Sequence, residues 1–372
     1  MTMRILALEP YYGGSHKAFV DGWSSRSGHD WTLLTLPPNK WKWRMRHAAI
    51  TFAEEVARKI DGGGEWDVLF CSDMLNLAEF LGLAPARMRP LPAVVYFHEN
   101  QLTYPVQIER ERDYHFVFTN ITTALAATRV WFNSAFHREE FLQSMPAFLK
   151  RMPDHVPLSA VGRIREKSEV RSPGIGDFQP RGVRPPGPIR ILWAARWEHD
   201  KNPGDFFAAL KILVERCVDF RVSVIGEQFR EYPAVFDSAR DEFNDHIDRW
   251  GYEVSRGEYV AALTEADVFV STANHEFFGI SAVEAIAAGA YPLLPERLSY
   301  PEILQGVENA AGFFYDGSPE RLAAKLSELA GRVADGDLWY GTGNEPASAV
   351  DRFRWEWVAP DLDRALSDAL AK

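Results

Sequence analysis

The stretch H-E-F-F-G-I-S-A-V-E-A-I-A-A-G-A-Y-P-L-L-P runs from His275 to Pro295 and follows the apolar run Asp267-Val268-Phe269-Val270-Ser271. The apolar run reads as a buried strand, and Ile280 to Ala288 reads as a helix closed by Gly289. Strand, loop and helix in that order are the repeating unit of a parallel α/β sheet. Glu276 falls on the loop and Glu284 one turn into the helix, with seven residues between them. Unpaired amides at a helix start after a glycine, with the helix dipole behind them, seat a phosphate or the hydroxyls of a sugar. Two carboxylates placed around such a seat suit a sugar nucleotide.

Working outward, strand-like and helix-like runs alternate along the chain. Strands are expected at Arg4–Pro10, Trp31–Pro37, Val68–Asp73, Ala93–Glu99 and Arg129–Ser134, with helical stretches near 15–26, 43–60 and 113–127. The segment G-D-F-Q-P-R-G-V-R-P-P-G-P, Gly176 to Pro188, is rich in Pro and Gly and reads as a linker. The pattern then restarts, with strands at Ile189–Arg196, Arg221–Gly226, Val268–Ala273 and Ala290–Pro295 and helices beginning near Pro203, Pro233, Ser255 and Ile280. Two doubly wound α/β domains follow from this. Ligands of such sheets bind beyond the carboxyl ends of the strands, so two facing domains would share a cleft.

A chain of 372 residues has room for two domains with separate cores. No apolar run approaches the roughly 18 residues of a membrane span, and no signal-peptide profile opens the chain, so the expected location is cytoplasmic. Cys71 and Cys217 lie far apart in apolar runs and are expected as reduced core thiols; no Cys/His cluster has zinc spacing. The net charge of −11 is unevenly spread. Residues 1–190 hold 24 Lys/Arg against 20 Asp/Glu, and the remainder 17 against 32. Basic groups at Lys40, Lys42, Arg44 and Arg46, and at Arg163, Arg165, Lys167 and Arg171, either meet a phosphate backbone or form solvated helix faces.

Three strings carry a family resemblance: the E-x7-E element of Glu276 and Glu284, E-P-Y-Y-G-G-S-H-K-A-F from Glu9 to Phe19, and Y-F-H-E-N-Q-L-T-Y-P from Tyr96 to Pro105. The first resembles the large retaining family of GT-B glycosyltransferases that use nucleotide-diphosphate sugars. The other two resemble the group that includes the tRNA-queuosine α-mannosyltransferases. The resemblance implies the GT-B fold, two Rossmann-like doubly wound domains facing a central cleft. It places an acceptor-side domain at residues 1–178, a linker at 179–188, a nucleotide-sugar domain at 189–348, and a last helix at 349–372 that returns to the first domain.

Residue by residue, the resemblance assigns the donor diphosphate to Arg196 and Lys201 in R-W-E-H-D-K-N-P, where cations after a strand would meet charge building on a leaving phosphate. It implies that Glu276 contacts the hydroxyls of the donor sugar and Glu284 the ribose, with the amides of Phe278, Gly279 and Ile280 adding contacts. A glycoside-hydrolase reading needs both carboxyl groups to flank one bond, which this spacing disfavours. His98, at the end of A-V-V-Y-F, is expected against the donor sugar and the reacting centre, and the turn Gly13-Gly14 near the donor phosphates. Ser15, His16, Lys17, Glu99 and Asn100 are candidate acceptor contacts, the helix after the turn being opened by Ser15. Asp73 and Asn133-Ser134 occupy equivalent strand ends. Trp250 and Tyr252 are as compatible with packing as with stacking on a base.

The expected function is transfer of mannose from GDP-mannose to queuosine in tRNA, with retention, without a protein nucleophile and with no metal or other cofactor required. The expected partners are the nucleotide sugar and tRNA; no obligate protein partner is inferred. Two alternatives stand beside it: the same chemistry on a small-molecule or lipid acceptor, and a non-catalytic nucleotide-sugar or RNA-binding protein.

Overall fold

The computed structural model describes residues 2–106, 112–179, 182, 184–339 and 345–370. The chain forms two compact units, Met1–Gly174 with Trp355–Lys372 and Ile175–Arg354. Each is built on one six-stranded sheet whose pairings are all parallel.

In the first unit the strands are β1 (Arg4–Glu9), β2 (Asp30–Thr35), β3 (Val68–Ser72), β4 (Ala93–Phe97), β5 (Arg129–Phe132) and β6 (Ser168–Val170), in the order β2-β1-β3-β4-β5-β6. β3 and β4 are buried at every residue. Both faces of a parallel sheet are covered by helices, so its central strands carry continuous apolar runs instead of alternating ones. One face packs on the helix Trp41–Asp61 through Ala48, Ala49, Phe52 and Val56. The other packs on the helix Gly14–Ser24 through Phe19, Val20 and Trp23, and on the terminal helix Trp355–Leu370. Trp355 fills a seat that two glycines leave open: a Cβ on Gly22 would stand 2.3 Å from its ring, and one on Gly174 2.2 Å. Trp23 Nε1 donates to Asp363 at 2.7 Å, pinning the terminal helix to this unit.

The second unit holds β7 (Ile189–Ala194), β8 (Phe220–Ile225), β9 (Ile247–Gly251), β10 (Val268–Val270), β11 (Tyr291–Pro295) and β12 (Phe314–Tyr315), in the order β12-β11-β10-β7-β8-β9. The chain moves outward from β7 to β8 and β9, then returns to the other side of β7 with β10. The direction of winding therefore switches between β7 and β10, the place where doubly wound sheets bind their ligands. The first sheet has the same switch between β1 and β3.

The units divide at Gly174/Ile175 and Arg354/Trp355, whereas the sequence pattern places a linker at 179–188 and a second boundary at 348/349. Ile175 is buried in the core of the second unit, and its N–H donates to Phe353 O at 2.7 Å, so the chain enters and leaves this unit side by side. Within 179–188, Pro180, Arg181 and Val183 lie outside the described residues. Arg184, by contrast, grips the fully buried carboxylate of Asp267 with two 2.8 Å hydrogen bonds, which makes its part of the segment a member of the second unit. Cys71 is buried, but Cys217 is exposed: it sits at φ 54° in the turn that ends the helix Pro203–Glu215 and is not the core thiol expected. No helix among the described residues is long and apolar enough to cross a membrane.

Candidate active site

In the second unit the loops after β7 and β10 are stitched together around Lys201. Its ammonium is buried and donates to His275 O at 2.7 Å, with Asp200 at 3.1 Å and Glu276 at 3.3 Å. Thr272 Oγ1 donates to Lys201 O at 2.9 Å, and Asn274 N to Asp200 O at 2.7 Å. Burial opposes the charge on Lys201, but Glu276 and Asp200 outweigh it and hold its pKa above the ordinary value. The same pairing works in reverse on Glu276: burial disfavours its carboxylate, Lys201 outweighs this, and its pKa lies below the usual range. His275 is pushed down to about 4 by burial and by Lys201. Arg196, also past the end of β7, is partly exposed and lies 3.1 Å from Glu198.

Gly279 turns the chain from the β10 loop into the helix Ile280–Ala287 at φ 89°, and no side chain caps that helix start. An alanine there would combine a left-handed backbone with a Cβ 3.1 Å from Tyr300 and 3.3 Å from Ile303. Phe278 is buried edge-on against Phe353 at 5.3 Å, so its backbone, not its ring, faces the turn. Lys201, Glu276, Ser271, Ser281 and Tyr300 line one small pocket. Glu284 is buried one turn into the helix, and both its oxygens are engaged: Arg256 donates to one at 2.7 Å and the Tyr259 hydroxyl to the other at 2.8 Å. Those two partners begin the helix Arg256–Glu265 after a Ser255–Glu258 capping box. They escape a reading by local motif because they lie far from Glu284 in sequence. Trp250 packs against Trp197 and Phe207, whereas Tyr252 is exposed.

In the first unit the site grows from the ends of β1, β3 and β4. Buried Glu9 accepts from Tyr11 N at 2.8 Å and Ser72 Oγ at 3.0 Å, and its other oxygen stands 3.3 Å from His16 Nδ1. The His16 ring lies against the His98 ring with centroids 4.0 Å apart. Burial disfavours a charge on His16, but Glu9 outweighs it and raises its pKa to about 9. Burial, then the neighbouring His16 and His137, push His98 far down, so it is neutral. His98 N donates to Asp73 Oδ1 at 2.9 Å, and Asn133 Nδ2 donates to His98 O at 2.9 Å. Burial first, then the nearby carboxylates, raise Asp73 to about 8, against the pull of His16 and the His98 amide. His98 Nε2 and Asp73 Oδ2 are buried with no hydrogen-bond partner. Glu9, His16 and His98 place ligand-type atoms within 4.8 Å of one another, a cluster in which Glu9 and His16 already satisfy each other.

The remaining candidates of this unit fall in different places. Gly13 has extended backbone and no room for a side chain, since a Cβ would stand 2.4 Å from Pro38; Gly14 takes φ 50° and begins the helix. Ser15 is exposed and does not cap that helix, contrary to expectation. Lys17 is exposed, paired with Asp21 and lying over the Tyr12 ring. Glu99 accepts from Gln101 Nε2 at 3.2 Å, and fully buried Asn100 holds its own turn by accepting from Thr103 N at 2.9 Å. Ser134 caps the helix Ala135–Leu149. Glu9 was not singled out from sequence, although it opens one of the strings that carry the resemblance.

Residues 4–175 match the family described as tRNA-queuosine alpha-mannosyltransferase N-terminal, and residues 177–330 match the glycosyl transferases group 1 family. The tRNA-queuosine alpha-mannosyltransferase of Drosophila melanogaster is 37% identical over 312 residues, 80% of this chain and 81% of its own length. The chain belongs to the tRNA-queuosine alpha-mannosyltransferase family. Among solved structures, sucrose-phosphate synthase from Thermosynechococcus elongatus superposes with a TM-score of 0.72 at 15% identity, covering 99% of both chains. HepE of Anabaena in complex with UDP gives 0.66 at 14% identity, covering 99% of this chain and 100% of that one. These likenesses establish the GT-B glycosyltransferase fold for this member of the queuosine mannosyltransferase family.

Proposed function

We propose that the protein is a cytoplasmic, retaining glycosyltransferase that moves mannose from GDP-mannose to the cyclopentene-diol of queuosine in tRNA. The observation that carries the reading is the buried Lys201 ammonium paired with half-buried Glu276, set where the second sheet reverses its winding and beside an uncapped helix start. In this reading Arg196 and Lys201 neutralise the diphosphate as the bond to the anomeric carbon breaks. The amides of Phe278, Gly279 and Ile280 hold phosphate or sugar oxygens at the helix N-terminus. Glu276, kept ionised by Lys201, accepts hydrogen bonds from sugar hydroxyls, and Glu284 does the same for the ribose, exchanging a hydrogen bond from Arg256 or Tyr259 for one from the ligand.

In the first unit, neutral His98 offers a buried nitrogen without a partner to the sugar and the reacting centre. The turn Gly13-Gly14 is assigned to the donor phosphates as a source of backbone contacts, and His16, charged by Glu9, is an acceptor-side hydrogen-bond donor. The departing phosphate takes the proton of the acceptor hydroxyl, so no protein nucleophile enters the scheme, and the cations of Arg196 and Lys201 do the work that a metal does in other transferases. The test is incubation of the protein with GDP-mannose and queuosine nucleoside, followed by mass spectrometry. An adduct of one hexose supports donor and acceptor together. Consumption of GDP-mannose by hydrolysis alone directs the acceptor assignment elsewhere.

A further inference from the structure

The helix Trp41–Asp61 carries the string K-W-K-W-R-M-R from Lys40 to Arg46, and its two faces are divided sharply. Trp41 and Met45 turn inward, packing with Met74, Phe116 and Tyr11. Lys40, Lys42, Trp43, Arg46 and Ile50 turn outward, and Trp43 is 59% exposed. Trp43 is not splayed into solvent: its indole stacks on His47 at 4.8 Å and 29°, and His47 is fixed by hydrogen bonds with Arg44 and Thr51 at 2.9 Å. No acidic residue occurs between Asp30 and Glu54, and among the described residues no ion pair neutralises Lys40, Lys42 or Arg46. The surface is therefore a propped aromatic plane ringed by unneutralised cations, on a protein whose net charge is −11.

Its position ties it to the acceptor side of the site. The loop that leads into this helix packs Pro38 over Gly13, and Tyr12 N donates to Leu36 O at 2.9 Å, so the basic surface begins beside the glycine turn that leads to His16. Tyr11 joins the two, packing on the Met45, Met74 and Phe116 cluster that Trp41 also covers, and standing edge-on to His16 at 5.9 Å.

We propose that Lys40, Lys42, Trp43 and Arg46 form a docking surface for the RNA acceptor, the cations on the phosphate backbone and the Trp43 indole under one unpaired base. The inference rests on the reading of tRNA as the acceptor. Charge complementarity selects the occupant: cations around an exposed aromatic plane are the recurrent platform for single-stranded nucleic acid, in which each base stacks on a ring and each phosphate meets a cation.

The experiment measures binding of fluorescently labelled, queuosine-containing tRNA to the full chain by anisotropy across a salt series, for wild type, Trp43→Ala and the triple variant Lys40→Ala/Lys42→Ala/Arg46→Ala. All four side chains are exposed, so melting temperature and transfer to the free queuosine nucleoside are expected to stay at wild-type levels. Trp43→Ala should weaken tRNA binding about ten-fold or more, the loss of one stacked base. The triple variant should weaken it further and flatten the salt dependence by about two to three phosphate contacts. Wild-type affinity in both variants, or no tRNA binding by the wild type, overturns the proposal. So does loss of binding to anionic phospholipid vesicles with tRNA affinity unchanged, which makes the surface a membrane contact. If tRNA binds through these residues but no mannose is transferred to queuosine, the docking surface stands and the acceptor chemistry falls; transfer to tRNA undisturbed by the variants has the opposite meaning.

Discussion

His16 and His98 lie ring against ring, 4.0 Å between centroids, in opposite protonation states: Glu9 holds the first as an imidazolium, while burial and that neighbouring charge keep the second neutral. One can only donate hydrogen bonds; the other keeps a nitrogen free to accept or donate. Two histidines thus carry two tasks within one cluster, separated by their surroundings and not by residue type.

That arrangement fixes how stability responds to pH. The folded pKa of His16 is raised to about 9, above its ordinary 6.5, so the Glu9–His16 pair contributes in full below pH 6.5 and loses its contribution as pH rises through 9. The upper bound is roughly 3 kcal/mol for a shift of this size. Denaturant unfolding of wild type and His16→Asn should show a stability gap that is widest near pH 6 and narrows by pH 10. A gap independent of pH contradicts the charged assignment.

Lys201→Ala removes the counter-charge of two carboxylates as well as a phosphate contact. It should lower kcat by about two to three orders of magnitude, as loss of an electrostatic partner of the transition state does. It should also cost about 2–4 kcal/mol, because Asp200 and Glu276 are left without their cation. Adding Glu276→Gln to Lys201→Ala should restore part of the stability and none of the activity. Equal stability of single and double variants would remove the coupling argued for the pair.

Glu284 is assigned to the ribose, a part of the donor that does not change during reaction. Glu284→Ala should therefore raise KM for GDP-mannose about ten-fold and leave kcat nearly unaltered. A fall in kcat at unchanged KM would place Glu284 at the reacting centre instead.

Gly279→Ala should be costly for two reasons at once, the left-handed φ of 89° and the 3.1 Å approach to Tyr300. A loss of about 1–3 kcal/mol is expected, together with loss of GDP binding by calorimetry. Unchanged GDP affinity would dissociate the helix start from the donor site.

What was legible in the sequence follows from the physics of parallel sheets. β3, β4 and β10 announce themselves because strands covered on both faces carry unbroken apolar runs. β6, Ser-Glu-Val, and β12, Phe-Tyr, are too short to make a run, and β9, Ile-Asp-Arg-Trp-Gly, is an edge strand that exposes charges. All three went unread. At the site, Arg196, Lys201, Glu276 and Glu284 were singled out as candidates through local strings; Glu276 lies on the loop and Glu284 in the helix expected of them, while Arg196 falls just past a strand that ends at Ala194. Glu9, Ser72, Arg256 and Tyr259 were not, because only strand register and helix packing bring them to their partners: β1 pairs with β3 so that Leu8 faces Cys71, which sets Glu9 beside Ser72 across 63 positions of sequence. The linker was misplaced for a related reason. Its Pro and Gly content signals irregular backbone, whereas membership of a unit is set by Arg184 finding Asp267.

The central claim is tested most directly by transfer of labelled mannose from GDP-mannose to total tRNA purified from cells grown with and without queuosine. Label confined to the queuosine-containing tRNA, and abolished by Lys201→Ala, is the result predicted. Equal label on both preparations, or none on either while GDP-mannose binds, contradicts the assignment of queuosine as the acceptor.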